Sequence, residues 1–381
     1  MSCLLPPAVR TSVAILLLVA LAGIGAHRSD ACTGLLLRNL DGSVVHGRTV
    51  EFGIPIEMDL AYVPRGHRFV GMTPKGAGLS WTAKYAAGGV ICFGNLGIMD
   101  GINEKGLAAA AFYFPTCAEY TPTTDENRGR SMSPVDFPNW ILTSFATVDE
   151  VRTAIENGEV AVAPTLVPGW PATPQPFHWI VYDRSGKALV IETIGGRLVL
   201  HDNPIGTFTN SPAFDWHLTN LRNFIGLRTE DPGSVDLDGV NLSGFGLGGG
   251  MLGVPGDFTS PSRFVRVTWY AATVDPAGDA AAGVLSGFHV LNQFDIPFGS
   301  VRQTEDGHTE TDATLLTVMR DPASWTYYYR TREDQTLRSV DFSKFDPNAA
   351  DVRVLKTAGS QPIVDMTGVF GTWSAGRTAT P

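Results

Sequence analysis

Strand-like alternation at both ends of the chain, with helical spacing confined to its middle, is the feature that most restricts what this sequence can become. Thr33–Arg38 and Val44–Phe52 flank Asp41-Gly42, a pair that tolerates positive φ and marks a hairpin. Further strand-like runs are Met58–Val63, Gly88–Phe93, Leu107–Phe114, Phe177–Tyr182, Ala188–Ile194 and Leu198–Leu200, and late ones are Thr314–Met319, Ser324–Arg330 and Thr336–Asp341. Thr147-Val148-Asp149-Glu150 has the pattern of a capping box. Pro212–Ile225 places Phe214, Leu218, Leu221 and Ile225 on one helical stripe, and Ser260-Pro261 opens another helix ahead of Phe264, Val267 and Ala271. Strands, then helices, then strands, without βαβ alternation, predict an α+β fold of antiparallel sheets covered by helices. With no internal repeat and no linker, residues 32–381 read as a single domain.

Residues 1–31 are expected to be a signal peptide. Arg10 precedes an uncharged run, Thr11–Ala26, which is shorter than the ~20 apolar residues of a membrane span. Ser29 and Ala31 stand three and one positions before Cys32, the pattern that a signal peptidase reads. The competing readings are an uncleaved anchor and a lipidated cysteine. A lipoprotein signal normally carries a large aliphatic residue where this chain has Ser29. Cleavage after Ala31 would leave an exported, periplasmic or extracellular protein beginning at Cys32, with no stable membrane span.

The whole chain has a formal charge of −10, and losing Arg10, Arg28 and Asp30 makes it one unit more negative. Without a basic patch, such a chain has no electrostatic attraction to a phosphate backbone, so nucleic acid is not expected as a partner. Cys32, Cys92 and Cys117 survive the cleavage. If Asn103-Glu104-Lys105-Gly106 is a symmetric hairpin tip, Cys92 and Cys117 face each other, which predicts a disulfide; the alternative is two buried thiols packing as small hydrophobes. The same symmetry applied to Asp41-Gly42 puts Cys32 opposite Glu51, and only a bulge, for which Gly47 is the natural place, would bring Arg48 to the same face.

A cysteine attacks an amide as the thiolate, and an ordinary thiol, with a pKa near ~8.5, is mostly protonated at neutral pH. A cysteine that is also the chain terminus carries its own base, an α-amine with a pKa near ~8. Such a site needs a cation beside the sulfur, an anion for the ammonium and donors for the oxyanion; Arg48 and Glu51 are the local candidates.

Cys32-Thr33-Gly34-Leu35, Arg48-Thr49-Val50-Glu51, Asp100 to Leu107, Thr209-Asn210-Ser211-Pro212 and Gly256 to Phe264 together resemble the choloylglycine hydrolase family, which contains bile salt hydrolases and penicillin V acylases. Phe294-Asp295-Ile296-Pro297 and Trp325 to Arg330 resemble its C-terminal part. The resemblance implies an Ntn-hydrolase αββα sandwich, two antiparallel sheets between helical layers. It implies catalytic roles for Cys32 as nucleophile, Arg48 beside it, Glu51 where the family usually has aspartate, Asn210 as side-chain oxyanion donor and Arg263 as second arginine. Tyr113 stands where bile salt hydrolases tend to have asparagine and penicillin acylases tyrosine, so Tyr113 and Phe52 are expected to bind substrate. The expected activity is hydrolysis of linear amide C–N bonds in small N-acyl compounds of the penicillin V or N-acyl homoserine lactone type, with bile salts as the alternative. No cofactor or metal is implied, and the family's tetramers make a homo-oligomer an expected assembly.

Rival classes are an exported binding module without catalysis, favoured only by Glu51, and a papain-like protease pairing Cys32 with one of the scattered histidines. Gly244–Gly249 satisfies a dinucleotide fingerprint by letters, but without a strand before it and a helix after it a loop is the better reading. His308, Glu310 and Asp312 lack zinc-ligand spacing and read as a solvated loop.

Overall fold

The computed structural model describes residues 31–54, 56–305 and 308–371. The leader, apart from Ala31, lies outside them. The chain opens with the hairpin β1 (Cys32–Arg38) and β2 (Val44–Phe52), then β3 (Met58–Val63), an outlying hairpin of β4 (Arg68–Thr73) and β5 (Gly76–Thr82), and the meander β6 (Ala87–Cys92), β7 (Ile98–Asn103) and β8 (Ala108–Tyr113). A short β9 (Ser131–Met132) precedes helices α1 (Phe137–Ser144) and α2 (Val148–Glu156) and pairs with β10 (Ala161–Val162). Next come β11 (Phe177–Tyr182), β12 (Ala188–Ile194) and β13 (Arg197–Asp202), helix α3 (Phe214–Leu221), and a small hairpin of β14 (Val235–Leu237) and β15 (Val240–Leu242). Helices α4 (Ser260–Thr273) and α5 (Ala280–Leu291) lead into β16 (Val301–Glu305), β17 (His308–Asp321), β18 (Thr326–Thr331) and β19 (Arg338–Asp341), and β20 (Arg353–Lys356) comes last.

Two antiparallel sheets dominate. One has the order β1-β2-β17-β18-β19 with β16 on β17, and the other β13-β12-β11-β8-β7-β6-β3-β20. Residue alternation along β1 decides what each of its faces meets. Leu35 and Leu37 pack with Val45 and Met319 against Val267, Val284 and Phe288 of α4 and α5. Cys32 and Leu36 face the second sheet, meeting Ala110, Phe112, Ile180 and Tyr182. Helix α1 covers the far side of that second sheet, with Leu142 beside Gly101 and Phe137 edge-on to Trp179. The result is the α+β sandwich expected, helices outside and two sheets within. Among the described residues no helix is long and apolar enough to cross a membrane.

Four expectations fail in informative ways. The β1–β2 register is one residue off the symmetric guess: Cys32 pairs with Val50 and Leu35 with Gly47. The loop is longer than the Asp-Gly pair, closing through Asn39 N to Ser43 O at 2.9 Å. Second, β7 intervenes between β6, which ends at Cys92, and β8, and Cys117 lies in the turn beyond β8, so the 103–106 turn joins β7 to β8 and the predicted pairing does not form; both are free thiols, Cys92 buried. Third, Asp312 is not in a solvated loop but buried on β17. Fourth, on α3 the buried residues are Phe214 and His217 rather than the full predicted stripe, because His217 stacks on Phe264 of α4.

Candidate active site

The corrected register is what builds the site. Cys32 pairs with Val50 and Gly34 with Arg48, so alternation puts Cys32 and Arg48 on the same inter-sheet face without a bulge. The irregularity lies instead on β17, between Thr314 and Leu316 opposite Glu51 and Val50. Gly34 leaves room here: a Cβ would come within 3.0 Å of the Phe112 ring. The Arg48 guanidinium lies 3.9 Å over that ring. It donates through Nη1 to Ala111 O at 2.5 Å and through Nε to Thr49 O at 3.0 Å, leaving Nη2 2.6 Å from Cys32 Sγ. Two hydrogen bonds and a ring thus aim one buried cation at the sulfur.

The backbone of Cys32 is held as firmly. Its nitrogen donates to Asn210 Oδ1 at 2.7 Å, and its carbonyl accepts from Arg263 Nη1 at 2.5 Å. Arg263 also donates to Thr33 Oγ1 at 2.9 Å and to Asn210 Oδ1 at 2.8 Å, while its Nε is tied to Phe258 O at 2.9 Å. Asn210 Nδ2 donates to Tyr113 O at 2.7 Å. Two donors converge on Oδ1, which fixes the orientation of the amide.

A second layer, invisible to motif reading, fixes Asn210. Its N–H donates to Ser260 Oγ at 3.0 Å, and Thr259, not Ser260, is the residue before the first turn of α4. His217 Nε2 donates to Asn210 O at 2.9 Å, and burial lowers that imidazole to a pKa of about 4, so the ring is neutral. His178 Nε2 lies 3.0 Å from Thr209 O and its Nδ1 3.2 Å from Glu192 Oε1, which also accepts the Phe214 N–H at 3.0 Å. His201 Nε2 lies 3.3 Å from Glu192 Oε2. Burial raises the pKa of Glu192, but the two imidazoles outweigh it and hold the carboxyl at about 2.

Glu51 lines the same cavity as Cys32 and Arg48, and its charge acts on the Cys32 thiol, but its side chain is held from another direction. Alternation turns it away from the sulfur's face; Thr314 Oγ1 donates to its Oε1 at 2.9 Å, and its buried Oε2 has no hydrogen-bond partner. Its backbone N–H donates to Ala31 O at 2.9 Å. Burial pushes its carboxyl up to about 8 against the pull of Arg263. Burial likewise raises the Cys32 thiol, opposed chiefly by Arg48. In this uncleaved chain the Cys32 nitrogen is a peptide nitrogen and cannot act as a base.

Tyr113 and Phe52 meet edge-on at 6.0 Å in the wall of a small apolar cavity beside Cys32. Cys92, Met99, Trp170 and Phe177 also line it, and no sequence signal pointed to them as site residues. Among the described residues no group of metal-ligand residues is clustered.

Residues 32–354 match the family described as linear amide C–N hydrolases, choloylglycine hydrolase family. Over 331 residues the chain is 32% identical to the bile salt hydrolase/transferase of Clostridium perfringens, covering 85% of this chain and 96% of that one. The penicillin V acylase of Pectobacterium atrosepticum is 26% identical over 381 residues, with 93% of each covered. A crystal structure of a mutant of the conjugated bile acid hydrolase from Clostridium perfringens superposes with a TM-score of 0.78 at 30% identity, covering 88% of this chain and all of that one. With a buried arginine aimed at the sulfur of the residue where the family match begins, the chain belongs to the choloylglycine hydrolase family and is a linear amide C–N hydrolase.

Proposed function

We propose that the chain is exported, cleaved after Ala31, and then hydrolyses amides that join a bulky apolar acyl group to a small polar amine, conjugated bile salts first among them. Cleavage converts the Cys32 peptide nitrogen into an α-amine, which takes the thiol proton. The thiolate adds to the carbonyl, the tetrahedral intermediate expels the amine with that proton, and water then cleaves the thioester, releasing the acid and restoring the thiol. Arg48 stabilises the thiolate, Asn210 Oδ1 orients the amine, and Arg263 braces both. The observation that carries the reading is the Arg48–Cys32 contact at 2.6 Å on a residue whose nitrogen is separately held by Asn210. The match beginning at Cys32 supports the processing site.

The order of the relatives favours bile salts over the penicillin V and acyl homoserine lactone reading suggested by Tyr113. That second reading keeps one observation in its favour: the cavity wall is aromatic, Tyr113 meeting both Phe52 and Phe177 edge-on, which suits a flat aryl acyl group. Assembly as a homo-oligomer is part of the proposal, and native mass measures it. Amine release from glycocholate, penicillin V and N-acyl homoserine lactones by the processed protein, with Cys32→Ala as control, decides among these substrates. Undiminished release by Cys32→Ala would refute the mechanism.

A further inference from the structure

The cavity beside Cys32 holds about 50 Å³. Benzene occupies a protein cavity of roughly 150 Å³, and ligand sites run from ~300 Å³ upward, so only the first carbons of an acyl group fit there. A second cavity of about 300 Å³ shares Phe52, Ile56 and Met58 with it. The segment 356–359, which follows the last residue matched to the family, 354, also lines it. That segment is firmly placed. β20 pairs with β3, Lys356 opposite Asp59; Lys356 Nζ contacts Glu57 Oε1 at 2.6 Å and Asp59 Oδ2 at 2.7 Å. Thr357 Oγ1 donates to Met58 O at 2.5 Å. The clamp fixes the stretch that carries Glu57 and Met58, and it presents the small residues Ala358 and Gly359 to the chamber. Phe298, Ala313 and Leu315 supply apolar surface, while Arg332, paired with Glu333 at 2.9 Å, lies 5.1 Å over the Phe298 ring.

We propose that this chamber is a distal acyl subsite: it receives the far end of an apolar acyl group whose carbonyl sits at Cys32, and Ala358 and Gly359 of the C-terminal segment set its depth. The inference rests on the amide hydrolase reading and adds to it a selectivity element outside the family's matched span. A polar end on the acyl group meets the charged residues Arg332, Glu333 and Lys356.

The experiment uses the processed protein and a series of N-acylglycines, acetyl, hexanoyl, dodecanoyl and a steroid acyl, reading glycine release. Ala358 is exposed, so Ala358→Trp fills the chamber without entering the core; Ala358→Leu is the milder companion. The expected result is that the ratio of kcat/KM for dodecanoyl and steroid acyl substrates over hexanoyl falls at least 10-fold in Ala358→Trp and less in Ala358→Leu, mainly through KM, with Tm unchanged. A ratio within twofold of the parent in both variants overturns the subsite while leaving the amide hydrolase reading intact. Release of glycine from no member of the series by the parent protein overturns both.

Discussion

Replacing Glu51 by glutamine tests whether the buried carboxyl carries the electrostatics argued for it. In the uncleaved chain burial raises Glu51 from 4.5 to about 8. Its folded pKa is therefore above its unfolded value, so the native state binds more protons than the unfolded state between these two limits, and stability falls as pH rises through that window. At 1.36 kcal/mol per unit the whole shift amounts to about 5 kcal/mol, of which roughly 3 kcal/mol is lost by pH 7. Glutamine does not titrate. In the uncleaved chain the stability of Glu51→Gln relative to the parent should thus rise by roughly 3 kcal/mol from pH 4.5 to pH 7 and level off above pH 8. In urea that is a relative midpoint shift of up to about 1 M. Other titrating groups cancel in the difference. Cleavage after Ala31 places an ammonium at Cys32, which favours the ionised carboxylate, so the same comparison on the processed chain should show a smaller slope. Parallel midpoints for the two uncleaved proteins from pH 4.5 to pH 8 would refute the account of Glu51.

Three further outcomes follow from the same geometry. Arg48→Leu removes a charge-assisted contact worth about 1.5–3 kcal/mol, or one to two units of thiol pKa; alkylation of Cys32 in the processed protein at pH 7 should slow about 10- to 100-fold, read from iodoacetamide kinetics across pH. Asn210→Ala takes away the acceptor that orients the Cys32 nitrogen, a charge-assisted contact once the amine is free and worth about 1.5–3 kcal/mol, so a kcat loss of roughly 10- to 100-fold is expected in steady-state assays. Asp100→Ala strands Arg320, whose Nη1 reaches both Asp100 oxygens at 3.0 Å between the two sheets, and should cost about 3–5 kcal/mol in a urea melt. Adding Arg320→Met should return part of that loss.

What the sequence could and could not convey divides along the line between local pattern and long-range partner. The β1–β2 hairpin and the cap at Thr147 are local, and both form; Thr147 Oγ1 accepts the Glu150 N–H at 3.2 Å. The register slipped by one because alternation is indifferent to loop length, and that single residue decided whether Arg48 shared a face with Cys32. β7 is missed because 103–106 reads as the tip of one hairpin joining the Cys92 run directly to 107–114, and Asp100 does not look like a strand residue; in the fold it is buried between Arg320 and Tyr327, more than 200 residues away. Asp312 misled for the same reason, a charged residue on a buried strand. His178, Glu192, His201 and His217 carry no spacing that announces a network, since they meet only after β11, β12, β13 and α3 have converged on the loop bearing Asn210. The polar positions that defeat the rule of polar outside, apolar inside are thus those the fold buries and pairs across the chain, and an amide-cleaving site must be made of such positions: an exposed Arg48 would be screened by water and would hold no thiolate at Cys32.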